Sequence, residues 1–295
     1  MEITINAPAG FDYKRTVLSH GWSGLLPFEL DEQTWTLARV FDVGGESAPV
    51  TATITGDRRA LNVRLARRLG KRAEAKLVRD VRHVFRLDDD MSAFYEATRS
   101  HPEFAWIETS GAGRLLRSPT VYEDLVKSLC TTNCSWALTE KMVTALVTHL
   151  GRETTDGRRD FPTPAAMAAE DEGFYREVVR AGYRAPYLRE LAVRVATGEL
   201  DVESWLTTEM ETAELKREMK RVKGVGDYAA ENLLKLVGRY DVLALDSWVR
   251  ATFARRRNGG RTCDDAKIAR YYSRFKSFRG LALWCDMTRD WIAEK

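Results

Sequence analysis

Lys223-Gly224-Val225-Gly226, followed twenty residues later by Leu245-Asp246-Ser247-Trp248-Val249-Arg250, decides how this chain is read. Two glycines flank one apolar residue between two helix-forming stretches, Glu211 to Val222 and Asp227 to Gly238. Glycine tolerates positive φ and lets a second backbone approach closely. A tight turn that opens a helix also leaves N–H groups free for a phosphate. Asp246 then begins another helix, so the spacing predicts a backbone-gripping hairpin with a carboxylate beside it.

The residues around this hairpin fit a wider pattern. Ser118-Pro119-Thr120, Asp124-Leu125-Val126 and Thr131-Thr132-Asn133 precede it, with Ala181-Gly182-Tyr183-Arg184 and Tyr187-Leu188 between. Phe278-Arg279-Gly280 leads into an apolar helix at the C-terminal end. Over most of its length the chain resembles the helix-hairpin-helix superfamily of DNA glycosylases, and within it the bacterial 3-methyladenine and 8-oxoguanine branches. Lys223 stands where that superfamily usually has Pro. The resemblance implies that Asp246 is the catalytic carboxylate and that Lys223, Gly224, Val225, Gly226 and Arg250 meet DNA. It also implies that backbone carbonyls at Lys223 and Val225 hold a monovalent cation, with no other cofactor or metal. Asn133 matches the position from which relatives insert a side chain into the duplex. A helix-capping role suits an Asn between two helices equally well.

Composition sets broad bounds. A chain of 295 residues can bury a sizeable core. No run of 18 apolar residues is present, so no transmembrane helix is expected. Met1-Glu2-Ile3-Thr4-Ile5 lacks the basic start and apolar core of a signal peptide, so a cytoplasmic protein is expected; a monomer is expected as well. The four cysteines, at 130, 134, 263 and 285, form no disulfide framework. Cys130 and Cys134 share one helix face; two metal ligands are conceivable there, and buried free thiols are the commoner outcome. The formal net charge is +3, yet Lys216 to Arg261 carries twelve Lys and Arg against five Asp and Glu. That local excess surrounds the hairpin and favours a phosphate backbone over a merely solvated face.

The organisation predicted is α+β. Residues 1–105 read as a small antiparallel sheet domain, with strands at Thr34 to Val40, Val50 to Ile54 and Leu61 to Leu65 and a helix from Lys71 to Phe85. Residues 106–295 read as successive helices forming two lobes with a cleft between them.

Excising a base breaks an N-glycosidic bond through a transition state with positive charge on the sugar, which a nearby carboxylate stabilises. Asp246 in the bland reading merely caps the helix running to Val249 and Phe253. Relatives that also cleave the strand carry a Lys two residues after the hairpin, whose amine forms a Schiff base with the sugar. Tyr228 occupies that position here, so the expected enzyme is monofunctional. A flipped base needs a pocket. Trp136, Tyr228, Trp248, Trp284 and Met287 are candidate walls, against ordinary core packing. Asn232 and Ser247 replace aromatic positions of the alkylation-repair branch. That departure counts against an alkyladenine-type pocket, but the missing Lys and the sheet domain make a glycosylase for an alkylated purine, acting on double-stranded DNA that contains a damaged base, the first expectation. An 8-oxoguanine or deaminated base is the alternative substrate, and a non-catalytic hairpin DNA-binding protein the alternative class.

Overall fold

The alternating segments of the first sixty-five residues bury one face each, and they find that burial in one antiparallel sheet. The computed structural model describes residues 1–45 and 48–292. Five strands, β1 (Glu2–Asn6), β2 (Phe28–Asp31), β3 (Thr36–Phe41), β4 (Val50–Gly56) and β5 (Ala60–Leu65), lie in the order β1-β5-β4-β3-β2. The three strands expected from alternation are present. β1 and β2 at the two edges were not singled out, because four or five residues are too few for periodicity to show. In register, Ile54 faces Leu37 on one side and Val63 on the other, all three fully buried.

Helices make up nearly all the rest, and their starts are chemically explicit. Thr120 accepts from the Glu123 N–H and opens Val121–Thr131. Ser135 accepts from the Leu138 N–H and opens Trp136–Leu150. A helix at Lys71–Val84 follows the sheet, as its apolar spacing predicts. It leads to Phe85, which stacks on Tyr13 at 5.8 Å. Phe94 packs on Phe278 at 5.6 Å and Phe104 on Phe275 at 4.8 Å, so helices before 105 pack with those at the C-terminal end.

The sheet is tied to the helices through a buried ion triad. Arg39 of β3 makes a bidentate pair with Glu123, at 3.0 and 2.6 Å. Lys127, one turn on, donates to the same carboxylate at 2.7 Å. Burial alone would raise the Glu123 pKa; the two cations hold it down at about 2. This triad sits under Val121–Thr131, a helix buried on almost every side. The N-terminal segment, the sheet and the hairpin helices all converge on it.

Candidate functional site

The hairpin forms as the glycines require. Thr212–Met219 ends before it and Asp227–Leu236 begins after it. Gly224 has φ +86°, and a Cβ there would lie 2.7 Å from Tyr187 and 3.0 Å from Leu129. Gly226 is different: its backbone is extended, and an added Cβ would meet open space. Val225 is buried and anchors the turn, while Gly224 and Gly226 stay exposed. Among the described residues no hydrogen bond ends on the carbonyl oxygens of Lys223, Gly224 or Val225. Open backbone carbonyls of this kind suit a monovalent cation.

The helix that starts at the hairpin also builds the site. Tyr228, Asn232 and Lys235 recur at i, i+4 and i+7, and all three line one cavity of about 570 Å³. Asp246 lines the same cavity. Its Oδ1 accepts from the Val249 N–H at 2.7 Å, so it caps Ser247–Arg257 as well. Capping and placement in the cavity coincide because the helix start points at the void. The preceding loop is fixed from two directions. Glu231 bonds the Ala244 N–H at 2.7 Å and Lys216 at 2.6 Å. Ala244 is held in the left-handed region at φ +53°, a conformation that needs such support. Gly280 donates to the Tyr240 carbonyl at 2.7 Å, and a Cβ there would overlap the Val242 carbonyl at 1.7 Å. Glycine at 280 therefore lets the C-terminal helix press against the loop that delivers Asp246.

The cavity walls are aromatic. Trp136, Trp248 and Trp284 line it, joined by Trp22 and Trp291. Trp248, Trp284 and Trp291 form a cluster with centroids 5.7–6.0 Å apart. Trp284 is pinned by its indole N–H donating to the Ser19 carbonyl at 2.7 Å. Trp22 is pinned by Asp124, which accepts its N–H at 2.7 Å. Trp136 and Trp248 remain 42% and 38% exposed, so they stand at the mouth. Tyr228 stands there too; burial of its hydroxyl, and then the charge of Asp246, push its pKa up to about 12.

Two residues expected in the pocket lie elsewhere. Met287 is 1% exposed, packs in the core and is not among the residues that line the void. Ser247 is exposed on the helix surface and is not part of the cavity lining. Asn133 does not cap a helix: Ser135 does that, and Asn133 sits exposed at φ +46° between the two helices. Its amide lies 3.4 Å from the exposed Tyr183 hydroxyl, on the turn whose neighbours Thr131, Cys134 and Trp136 line the cavity. Lys223 pairs with Glu190 at 2.6 Å and Arg250 with Asp265 at 2.7 Å. Exposed pairs of this kind are worth under about 1 kcal/mol and exchange readily for a phosphate. The Cys134 thiol donates to the Cys130 carbonyl at 3.1 Å. Among the described residues no cluster of three or more potential metal ligands occurs, and no helix is long and apolar enough to cross a membrane.

Sequence reading left His20, Trp22, Ser128, Lys235 and Trp291 out of the pocket that they line. His20 and Trp22 come from a short turn far from the hairpin, joined to it only by folding. Lys235 was legible: its i+7 spacing from Tyr228 places both on one helical face. It is 2% exposed, and its Nζ has no hydrogen-bond partner. Burial lowers its pKa to about 8, against the opposing pull of Glu231 and Asp246. Its ammonium lies 4.7 Å from the centre of the Trp284 ring.

No known family model matches the chain. It is 23% identical over 193 residues to a probable N-glycosylase/DNA lyase of Methanothermobacter thermautotrophicus, an alignment spanning 58% of this chain and 61% of that protein. The chain thus spans about three-fifths of the length of the curated relative it matches. Solved structures match over nearly full length. MBOgg1 in complex with a low affinity DNA ligand superposes with a TM-score of 0.76 at 21% identity, over 100% of this chain and 96% of that one. The 3-methyladenine DNA-glycosylase of Archaeoglobus fulgidus gives 0.75 at 19%, over 97% and 98%. The 8-oxoguanine glycosylase/lyase of Clostridium acetobutylicum, with double-stranded DNA containing cytosine opposite 8-oxoguanine, gives 0.75 at 17%, over 100% and 99%. Among the solved structures that share its fold are DNA glycosylases. The α+β architecture with an N-terminal sheet is theirs.

Proposed function

We propose that the protein is a base-excision DNA glycosylase that flips a damaged base into the tryptophan-walled cavity and hydrolyses its N-glycosidic bond. The observation that carries this reading is the double placement of Asp246. It caps its helix through Oδ1 and lines a cavity whose other wall is the helix that begins at the hairpin. The hairpin, with its exposed glycines, grips the duplex backbone; a monovalent cation on the open carbonyls of residues 223–225 would join hairpin and phosphate. Expulsion of a base costs a few kcal/mol, which stacking on Trp136, Trp248 and Trp284 offsets. Asn133 and Tyr183, side by side on the rim, are placed to fill the gap left in the duplex. As the bond to the base lengthens, positive charge grows on the sugar, and the Asp246 carboxylate stabilises it while water attacks. A pure DNA-binding protein would need neither the cavity nor a carboxylate on it.

The reading is monofunctional. Tyr228 holds the position of the Schiff-base lysine, and its phenol has no amine. The competing reading rests on Lys235, an amine in the same cavity. Its Nζ is buried against the Trp284 ring, whereas a flipped nucleotide leads with its base and leaves its sugar near the mouth. The test is base release from duplexes carrying single defined lesions, assayed with and without alkali and with borohydride present. Release with the strand intact until alkali is added, and no trapped adduct, supports hydrolysis. Trapping abolished by Lys235→Met would install the lysine as nucleophile. Absence of release from every lesion would refute the glycosylase reading.

A further inference from the structure

We propose that Lys235 and Ser128 read the edge of the flipped base, and that the substrate class they select is a neutral purine bearing an exocyclic carbonyl oxygen, oxidised or deaminated, rather than a cationic alkylated purine. The proposal rests on the glycosylase reading and names its substrate. Two polar atoms of residues that line the cavity lack any hydrogen-bond partner: the Lys235 ammonium, which has the Trp284 ring at 4.7 Å, and the Ser128 hydroxyl, each on a residue 2% exposed. Buried polar groups are nearly always hydrogen-bonded, and an orphaned one costs free energy until something bonds it. Both residues line the same void, one from each of the two helices that pack beneath it.

Every group that faces Lys235 is otherwise engaged or neutral. Glu231 is held by Lys216 and the Ala244 N–H. Asp246 accepts from the Val249 N–H. The Cys285 thiol and the Tyr228 phenol are pushed up to about 12, and both stay neutral. His20 is pushed down to about 4 by burial, and its ring is bonded to the Leu116 carbonyl, so it adds no charge. Among the residues that line the cavity Lys235 is thus the cation, and no hydrogen bond or ion pair engages its ammonium. An ammonium donates and never accepts, so it needs a lone pair on the ligand. A carbonyl oxygen supplies that, and the Ser128 hydroxyl complements an adjacent N–H or a second acceptor. A purine alkylated at N3 or N7 carries positive charge in DNA and would be repelled by the Lys235 ammonium in this low-dielectric setting. The tryptophan walls stack either class; the cation at the base of the cavity discriminates between them.

Quenching of the cavity tryptophans by free nucleobases tests the proposal apart from catalysis. Hypoxanthine and adenine are matched in size and differ by a carbonyl in place of an amine. The wild-type protein is expected to bind hypoxanthine at least about tenfold more tightly, the discrimination that a charged hydrogen bond provides. Lys235→Met should abolish the difference, Lys235→Gln should restore part of it, and Ser128→Ala should reduce it. Single-turnover release from duplexes carrying hypoxanthine, 8-oxoguanine or 7-methylguanine should follow the same order, with 7-methylguanine slowest; the first two arms separate deaminated from oxidised substrates. Equal binding of the two free bases by the wild-type protein, or unchanged discrimination in both Lys235 variants, would overturn the proposal. Discrimination of free bases without release from any duplex would uphold the base-reading pair and refute the glycosylase reading alone.

Discussion

Replacing Lys235 by Met is expected to stabilise the fold, and the gain should depend on pH in a defined way. The side chain is 2% exposed and its ammonium has no hydrogen-bond partner. Burial, opposed by Glu231 and Asp246, takes its pKa from 10.5 to about 8. Each unit is worth about 1.4 kcal/mol, so the folded state carries a penalty of about 3 kcal/mol at neutral pH. Met has a similar unbranched length and no charge to desolvate. For a chain of this size about 3 kcal/mol corresponds to a rise in Tm of roughly 5 °C. The sign follows from proton counting. Between pH 8 and 10.5 the unfolded chain binds the Lys235 proton and the folded protein does not, so wild-type stability rises with pH across that window. The variant lacks this contribution. The gap between the two should be widest below pH 8 and close by about pH 10.5. Paired thermal melts from pH 6 to 10 measure it. A variant that melts at or below wild type at pH 7, or a gap that does not change with pH, would show that Lys235 is not an unpaired cation in the folded protein. A residue kept at such a cost points to function, since stability alone would select against it.

Asp246→Asn should reduce base release by about 10²–10³ while leaving Tm nearly unchanged, because an Asn side chain still caps Val249. Asp246→Ala should show the same loss of release and an additional destabilisation of about 1 kcal/mol, and equal Tm in both variants would refute the dual role. Gly224→Ala should destabilise the fold and weaken duplex binding at every sequence, since its φ and its contact with Tyr187 both exclude a Cβ; Gly226→Ala should melt like wild type and affect only DNA affinity and its salt slope, as titrations in rising salt would show. Glu123→Gln should cost about 3–5 kcal/mol by leaving Arg39 and Lys127 without their buried anion. The Glu123 pKa lies below its unfolded value, so its contribution is present above about pH 4.5 and is lost as pH falls toward 2; acid unfolding of the variant should lack that phase. Asn133→Ala should slow processing of a paired lesion more than it lowers Tm, and equal slowing on an abasic duplex would assign gap filling to another residue, with Tyr183 the next to test.

Local chemistry made much of this protein legible in its sequence. The hairpin, the caps at Thr120, Ser135 and Asp246, and the strands from Thr36 to Leu65 are local patterns of glycine, cap residues and period-two alternation, and the chain obeys them. The position of Asp246 after the hairpin was likewise a matter of spacing. Tertiary structure alone decided what surrounds that carboxylate. It turned Met287 inward and Ser247 outward, although each is close in sequence to a tryptophan of the cavity. It brought His20 and Trp22 from the N-terminal segment to the far wall. Above all it left Lys235 and Ser128 without hydrogen-bond partners. Whether a polar group is satisfied depends on every element that packs around it, and no single stretch of sequence contains that sum.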